Sequence, residues 1–303
     1  MSITFDNRVA IVTGAGAGLG RCHALELAKR GVKVVVNDLG GTVAGEGGSL
    51  GPAEQVVQEI RDAGGEAIAN GASVTDPKGV EEMVAEAIET FGKVDILMNN
   101  AGVLRDKSFS KMTLEDFRFV LDVHVMGSVI CTKAVWDHMR ERQYGRIMMT
   151  SSSSGIYGNF GQSNYGTAKA GLVGLMNVLH IEGIQKGIHI NTLSPTAGTR
   201  MTEGIIPEEA FQLMTPESVT PAAVYLCCDE APSRLILCAG AGGYAATRIT
   251  ETDGIYLKPD DQSAESIAAN MADILNEDDE KMLEDGAGQT MKFVNKAVAA
   301  LKG

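Results

Sequence analysis

A short apolar segment followed by closely spaced glycines is the feature that most constrains the fold of this chain. Val9–Val12 is continuously apolar, and Thr13–Gly20 follows it with the sequence Thr-Gly-Ala-Gly-Ala-Gly-Leu-Gly. We predict a buried strand, a tight turn and then a helix. Such a turn presents backbone N–H groups and a helix N-terminus to a phosphate, and glycines let a pyrophosphate approach closely. The segment therefore favours nucleotide binding, although a tight turn without a ligand can have the same sequence.

Strand-like and helix-like segments alternate along most of the chain. The predicted strands are 8–13, 32–37, 66–72, 94–98, 146–150, 188–193 and 235–238. Amphipathic helices separate most of them, which predicts an α/β fold: a doubly wound parallel sheet of the Rossmann type with helices on both faces. Ligands are then expected outside the carboxyl ends of the strands. We assign 1–250 to a dinucleotide-binding catalytic domain and 251–303 to a helical C-terminal extension, packed on the core or on a partner subunit.

The composition limits the partners. The 303 residues carry a net charge of −13, which argues against a nucleic-acid partner because phosphate backbones need a basic surface. The five cysteines form no Cys-x-x-Cys pair, so a cytoplasmic setting is expected. The histidines lack ligand spacing, and no metal is expected. No apolar run approaches the length of a membrane span, so we expect no membrane partner.

A tyrosine and a lysine, Tyr165 and Lys169, stand four residues apart in a predicted helix at 162–186. Residues at this spacing share one helix face. A nearby cation lowers the pKa of a tyrosine, which is otherwise roughly 10, so Tyr165 could take a proton from an alcohol as hydride leaves. Ser152 follows the fifth strand and could hold the substrate oxygen, but the residues alone do not distinguish it from its neighbours in Ser151–Ser154.

Together these motifs resemble the short-chain dehydrogenase/reductase family over at least residues 6–202. The likeness rests on the glycine turn, on Asn-Asn-Ala-Gly at 99–102, and on a serine thirteen residues before the Tyr-x-x-x-Lys pair. The resemblance implies that Tyr165 is the general acid/base, that Ser152 is its partner, and that Lys169 also grips the nicotinamide ribose.

The same resemblance implies a site for NAD. The implied cofactor contacts are Gly14, Gly18, Leu19 and Gly20 at the pyrophosphate, Ser73 and Val74 at the adenine, Asn100 near a ribose, Gly198 and Thr199 near the nicotinamide, and Tyr165 and Lys169. Asp38 ends the second strand and resembles the carboxylate that binds the adenosine hydroxyls. Because a carboxylate there repels a 2′-phosphate, NAD is favoured over NADP. The alternative for Asp38 is a solvated strand-end residue.

The central helix departs from the pattern of the family at His124. Many members have an asparagine there that completes a proton relay, whereas the matching stretch here is Asp-Val-His-Val-Met-Gly at 122–127. An imidazole can also pass a proton. A neutral, purely structural histidine is the alternative.

A narrower likeness concerns the substrate. Segments at 37–41, 102–106, 144–147, 155–162 and 197–202 resemble the (3R)-hydroxyacyl-CoA dehydrogenase units of peroxisomal multifunctional β-oxidation enzymes. This implies oxidation of a (3R)-3-hydroxyacyl-CoA to the 3-ketoacyl-CoA. Two alternatives stay open: a dehydrogenase of a steroid-like or aromatic secondary alcohol, and a protein that binds NAD without turnover.

The resemblance also carries expectations about further contacts. Arg105, Lys107 and Arg200 follow strand-end motifs and could bind the phosphates of an acyl-CoA, although exposed surface charge explains them equally well. Relatives usually form dimers or tetramers by pairing long helices. Helices at 113–140 and 162–186 would make a homodimer or homotetramer here.

Overall fold

The computed structural model describes residues 3–197 and 212–302. Within it the chain divides into two units, Met1–Ala246 and Thr247–Gly303. The first contains the sheet and the predicted site, and the second contains the tail.

A single sheet organises the first unit. Its eight strands, among the described residues, are β1 Val9–Thr13, β2 Lys33–Asn37, β3 Ala67–Asn70, β4 Ile96–Asn99, β5 Gly145–Thr150, β6 Ile188–Thr196, β7 Ile236–Gly240 and β8 Gly243–Thr247. They are ordered β3-β2-β1-β4-β5-β6-β7-β8, and β1 to β7 pair in parallel. The chain order reverses between β1 and β4, where a doubly wound sheet opens a ligand crevice. The predicted fold class is confirmed.

Helices cover both faces of this sheet. They are α1 Gly18–Lys29, α2 Gly51–Asp62, α3 Pro77–Phe91, α4 Leu114–Leu121, α5 Gly127–Arg142, α6 Ser153–Tyr157, α7 Ser163–Gly183 and α8 Pro216–Leu226. Alternate strand residues feed two apolar cores: Ala10 and Val12 pack with α1, α2 and α8, whereas Ile11 packs with α3, α5 and α7. Burial on both faces explains the continuous apolar runs of the strands.

The long helix predicted at 113–140 is a succession of three segments. A single π-helical turn, Asp122–Met126, joins α4 to α5 and contains His124. The whole stretch Leu114–Arg142 is long and apolar enough to cross a membrane by length and composition alone, although charged residues interrupt its apolar sequence. Its buried residues, including Val135 and Met139, belong to the core beneath α3, α5 and α7.

The last strand of the sheet was not predicted. β8 follows β7 through a two-residue turn in which Ala241 (φ 48°) and Gly242 (φ 78°) both have positive φ, as a tight hairpin requires. Most of β8 is exposed, so it lacks the buried apolar pattern by which the other strands were identified.

The second unit contains three helices among its described residues: α9 Ala264–Ala269, α10 Met271–Ile274 and α11 Gly286–Lys302. Within the helical extension predicted for 251–303, the first two of these are short helices that meet at Asn270. Lys292 pairs with Glu251, and Lys296 pairs with Asp253, so α11 is tied to the start of the unit. Whether this extension packs on the core or on a partner subunit stays a prediction.

Candidate active site

The glycine turn is held in place by its neighbour Asn100. Gly14 (φ 64°) and Gly18 (φ 54°) adopt the left-handed conformation that favours glycine. A Cβ on Gly14 would lie 2.7 Å from the Cα of Ala101, so a side chain has no room there. The Asn100 amide donates to the carbonyls of Thr13 and Gly14, at 3.0 Å each. Asn100 therefore holds the backbone of the glycine turn in place by hydrogen bonds to two of its carbonyl groups.

Thr13 is a residue that the sequence analysis did not single out. Its hydroxyl accepts hydrogen bonds from the backbone N–H groups of Asn100 (3.0 Å) and Ala101 (3.1 Å), and it donates to the carbonyl of Met98 (3.3 Å). One side chain thus joins the ends of β1 and β4. The sequence feature from which this role could have been predicted is a hydroxyl-bearing residue placed directly before the glycine turn.

A cavity of about 320 Å³ opens beside this turn. It is lined by most of the predicted site residues: Gly14, Gly18, Leu19, Asp38, Ser73, Val74, Asn100, His124, Tyr165 and Lys169. Gly20 instead supports the turn, because a Cβ there would lie 2.2 Å from the carbonyl oxygen of Gly14. Gly198 and Thr199, together with Arg200, lie outside the described residues.

Asp38 stands at the end of β2 with its carboxylate held by backbone groups. Oδ2 accepts from the N–H of Gly16 at 2.7 Å, and Oδ1 accepts from the N–H of Gly40 at 2.6 Å. The carboxylate is therefore fixed between the glycine turn after β1 and the glycine-rich segment after β2. This position suits a group that orients ribose hydroxyls, and it differs from a freely solvated strand-end aspartate.

Ser152 and Tyr165 meet at the end of β5. Ser152 is only 9% exposed, and its hydroxyl also caps α6 by accepting from the N–H of Ser154 at 3.2 Å. Burial raises the pKa of Tyr165 to about 12, and a side-chain hydrogen bond from Ser152 lowers that pKa in part. The phenol is thus protonated near neutral pH, and Ser152 is the neighbour that makes it more acidic.

Lys169 is buried beside the phenol. Its Nζ lies 5.4 Å from the centre of the Tyr165 ring and donates to the carbonyl of Thr150 at 2.5 Å. Burial lowers the pKa of Lys169 to about 7. In both groups burial is the largest cause of the pKa shift, and it disfavours the charged form. The expectation that the charge of Lys169 lowers the pKa of Tyr165 stays a prediction.

His124 contacts Tyr165 from the π-helical turn. The two rings lie edge to face, with 5.3 Å between centroids. The imidazole Nε2 lies 2.9 Å from the carbonyl oxygen and 3.1 Å from the nitrogen of Val103, while the buried Nδ1 has no partner among the described residues. Burial holds the pKa of His124 well below its usual range, and nearby Lys169 lowers it further. The ring is therefore neutral, and its relay role stays a prediction.

Two of the three cations expected to bind phosphates are already paired. Arg105 and Lys107 both contact Asp116, each at 3.0 Å. Lys107 remains half exposed, but Arg105 is largely enclosed. Arg105 is therefore not available for a CoA phosphate without breaking that ion pair, and the sequence could not show this because Asp116 reaches both cations only through the fold.

Comparison with known proteins now identifies the family. A family model described as short chain dehydrogenase matches residues 8–210. The chain belongs to the short-chain dehydrogenase family. Members of this family are oxidoreductases that use a nicotinamide cofactor, and this short-chain dehydrogenase is therefore an oxidoreductase of that kind.

Several relatives of this short-chain dehydrogenase are longer proteins. The chain is 49% identical over 275 residues to peroxisomal multifunctional enzyme A of Dictyostelium discoideum, covering 90% of this chain and 61% of that one. The solved full-length peroxisomal multifunctional enzyme type 2 of Drosophila melanogaster superposes with a TM-score of 0.81 and 38% identity, covering 99% of this chain and 51% of that one. The chain thus spans roughly half to three fifths of these relatives.

A third similar protein is shorter. A 7α-hydroxysteroid dehydrogenase, solved with NADH and 7-oxo glycochenodeoxycholic acid, superposes with a TM-score of 0.71 and 30% identity. The match covers 79% of this chain and 95% of that one.

Proposed function

We propose that this short-chain dehydrogenase oxidises a (3R)-3-hydroxyacyl-CoA to the 3-ketoacyl-CoA with NAD. The observation that carries the reaction type is that Tyr165 and Lys169 line the cavity side by side, while Ser152, which is not part of the lining, hydrogen-bonds to Tyr165 from beside it. The substrate class is supported by the relatives named multifunctional enzymes, which match nearly the whole chain.

The choice of NAD is supported by Asp38. Its carboxylate lines the cavity at the end of β2 and is fixed by two backbone N–H groups. A 2′-phosphate brought to this position meets a fixed negative charge, which costs free energy that a ribose hydroxyl does not. Because both oxygens are already bound, Asp38 cannot easily turn away to admit NADP.

The reaction needs a proton acceptor beside the alcohol, and Tyr165 supplies it as the phenolate. In the chain by itself the pKa of about 12 keeps the phenol protonated, and the positive charge of a bound oxidised nicotinamide would lower that pKa. When bound, the oxidised nicotinamide ring accepts the hydride. Ser152 holds the substrate oxygen and stabilises the phenolate of Tyr165 by the hydrogen bond that already lowers its pKa. In the reverse direction Tyr165 returns the proton to the oxygen of the ketone.

Lys169 contributes through a position fixed by the sheet. Its Nζ is bound to the carbonyl of Thr150, the last residue of β5, so the ammonium is held beside the phenol and the cavity. We propose that Lys169 also binds the nicotinamide ribose. With its pKa near neutrality, its charge can change within the working pH range.

A steroid-like or aromatic secondary alcohol is the second candidate substrate. Two large, exposed aromatic side chains lie near the helices that carry Ser154 and Tyr165: Tyr157 (72% exposed) ends α6, and Phe160 (91% exposed) lies between α6 and α7. An apolar surface of this kind accommodates a ring system as well as an acyl chain. The similar hydroxysteroid dehydrogenase makes this class a fair competitor.

The experiment that tests the proposal measures NADH or NADPH formation with racemic and single-isomer 3-hydroxyacyl-CoA esters, a bile acid and aromatic alcohols. The proposal expects the highest kcat/KM with the (3R) CoA ester and NAD. Tyr165→Phe is expected to lose at least about a thousandfold in kcat while it still binds NADH, since only the proton acceptor is removed. A preference for the steroid supports the second candidate. Binding of NADH without turnover on any substrate supports a non-catalytic protein.

We also propose that the chain forms a homodimer or homotetramer through the helical stretch Leu114–Arg142 and α7. We further propose that it is located in the cytoplasm. Exposed apolar residues on α7, Val178 and Ile181, support such an interface. Light scattering of the purified chain measures the state, and fractionation of the source cells measures the location.

A further inference from the structure

The segment between β2 and α2, residues 39–50, is rich in glycine and is called here the glycine insertion. Its first part lies at the cofactor end of the cavity, where Gly40 donates its N–H to Asp38 at 2.6 Å. Its middle part turns tightly, with hydrogen bonds between Thr42 and Glu46 (2.8 Å) and between Gly45 and Thr42 (2.9 Å). The cavity is lined by several of its residues: Leu39, Gly41, Thr42, Val43 and Gly45.

The tip of the glycine insertion is attached to the opposite side of the cavity. The N–H of Leu104 donates to the carbonyl of Val43 at 3.0 Å. Gly45 packs so closely on Phe119 that a Cβ would lie 2.7 Å from that ring. The insertion therefore crosses from the carboxylate at the end of β2 to the segment that follows β4.

Arg105 is the side chain that secures this attachment. Its Nε donates to the carbonyl of Ala44 at 3.2 Å, and its guanidinium lies 4.0 Å over the ring of Phe119. A second nitrogen, Nη1, binds Asp116 at 3.0 Å. Arg105 does not belong to the cavity lining. One planar cation thus binds a carbonyl, a ring and a carboxylate at once, which a lysine cannot reproduce.

We propose that Arg105 is a positioning residue for the cofactor: it fastens the glycine insertion across the cavity and so holds Asp38 in its binding orientation. The inference rests on the cofactor site of the proposed function. It replaces the expectation that Arg105 binds a phosphate of the substrate.

The physical reason is conformational entropy. A glycine-rich loop loses much freedom when it is ordered, and an unfastened loop would lose that freedom only when the cofactor binds. Arg105 fixes the tip beforehand, so Gly40 already stands where it orients the Asp38 carboxylate. Loss of Arg105 should therefore weaken the binding of a ligand that Arg105 does not touch.

The test compares Arg105→Gln with Lys107→Gln. Lys107 is the matched control because its ammonium binds the same Asp116, whereas in the described part of the chain it makes no hydrogen bond to the glycine insertion. The affinity for NADH is measured by fluorescence titration without substrate. We expect Arg105→Gln to weaken NADH binding roughly three- to tenfold, the effect of losing one ordinary hydrogen bond, and Lys107→Gln to match the wild type. Amide exchange of residues 40–48 is expected to rise in Arg105→Gln alone.

Three results would overturn the proposal. One is wild-type NADH affinity in a folded Arg105→Gln variant. Another is equal weakening in both variants. A third is a loss seen only as a higher KM for CoA esters and not for the same acyl group on a thioester without phosphates, which would identify Arg105 as a phosphate ligand.

Folding and the cofactor site are checked separately. If Arg105→Gln does not fold, Arg105→Lys serves in its place, since it keeps a cation for Asp116 but has no planar group to lie over Phe119. It is expected to weaken NADH binding in the same direction, and wild-type affinity would overturn the proposal. A wild-type chain that binds no NADH at all would refute the proposed function as well, whereas unchanged binding in the variants refutes only the role of Arg105.

Discussion

At the scale of single residues, burial is the largest cause of the pKa shifts in the proposed catalytic pair Tyr165 and Lys169. The sequence pattern predicted that Lys169 makes Tyr165 acidic, but burial raises the pKa of Tyr165 to about 12 and lowers that of Lys169 to about 7. Both groups lose the charged form because the interior solvates it poorly. The sequence located both side chains, but their acidity depends on how completely the fold removes water.

Replacing Ser152 by Ala should shift the pH dependence of oxidation. Ser152 lowers the pKa of Tyr165, so its loss raises that pKa further, and the rise of kcat/KM with pH moves to more alkaline values. Initial rates between pH 6 and 11 measure the shift. Ser153→Ala, an exposed position in the same serine run, is the control and should leave the profile unchanged. An unmoved profile in Ser152→Ala would contradict the assigned partnership.

Replacing Lys169 by Met should stabilise the folded chain most at neutral and lower pH. The folded-state pKa of about 7 lies below the ordinary value of 10.5, so the unfolded chain binds more protons between these values. Wild-type stability therefore rises with pH from about 7 to 10.5, and the variant lacks this rise. Urea unfolding at several pH values measures the difference. Parallel curves for the two proteins would show that the ammonium is not buried at this cost.

At the scale of elements, the strands buried on both faces were predictable and the exposed ones were not. β1 and β2 stand out as apolar runs, whereas β8 carries no such pattern and forms because a two-residue turn follows β7. The π-helical turn at His124 was not predicted either, since one extra residue in a helical turn leaves no clear mark on periodicity. The attachment of the glycine insertion was not predicted either, because it depends on contacts with residues that are distant in the sequence.

Gly20→Ala should distort the first turn of α1. A Cβ there would meet the carbonyl of Gly14 at 2.2 Å, so either the helix or the phosphate turn must move. We expect a loss of about 1–3 kcal/mol in the free energy of unfolding, typical of overpacking, together with weaker NADH binding. Gly286→Ala, at the start of α11 with open space around its Cβ position, is the control and should be neutral. Thermal unfolding and NADH titration test both variants.

At the scale of the whole molecule, α1 and α8 are joined through a buried histidine. His23 lies on α1, fully buried, and its Nδ1 is 3.0 Å from the hydroxyl of Thr220 on α8. Burial lowers the pKa of His23 to about 3. The folded chain therefore keeps His23 neutral under conditions in which the unfolded chain protonates it.

This burial predicts a loss of stability in acid. Below about pH 6.5 His23 binds a proton in the unfolded state but stays neutral in the folded state. The free energy of unfolding therefore falls by up to about 1.4 kcal/mol per pH unit toward pH 3. His23→Asn removes this titration and should flatten the curve relative to the wild type. Chemical unfolding from pH 7 to 4 compares the two. An equal slope in both proteins would mean that His23 is not protected from protons.

Lys169, one of the proposed catalytic residues, is joined to the end of β5 by two hydrogen bonds that run in opposite directions. The Lys169 Nζ donates a hydrogen bond to the carbonyl of Thr150, and the Ser151 hydroxyl donates one to the carbonyl of Lys169 at 2.9 Å. Strand and helix cannot part at this point without breaking both bonds. On heating, catalysis should consequently vanish in one step with the melting of the sheet, rather than decay gradually while the protein is still folded.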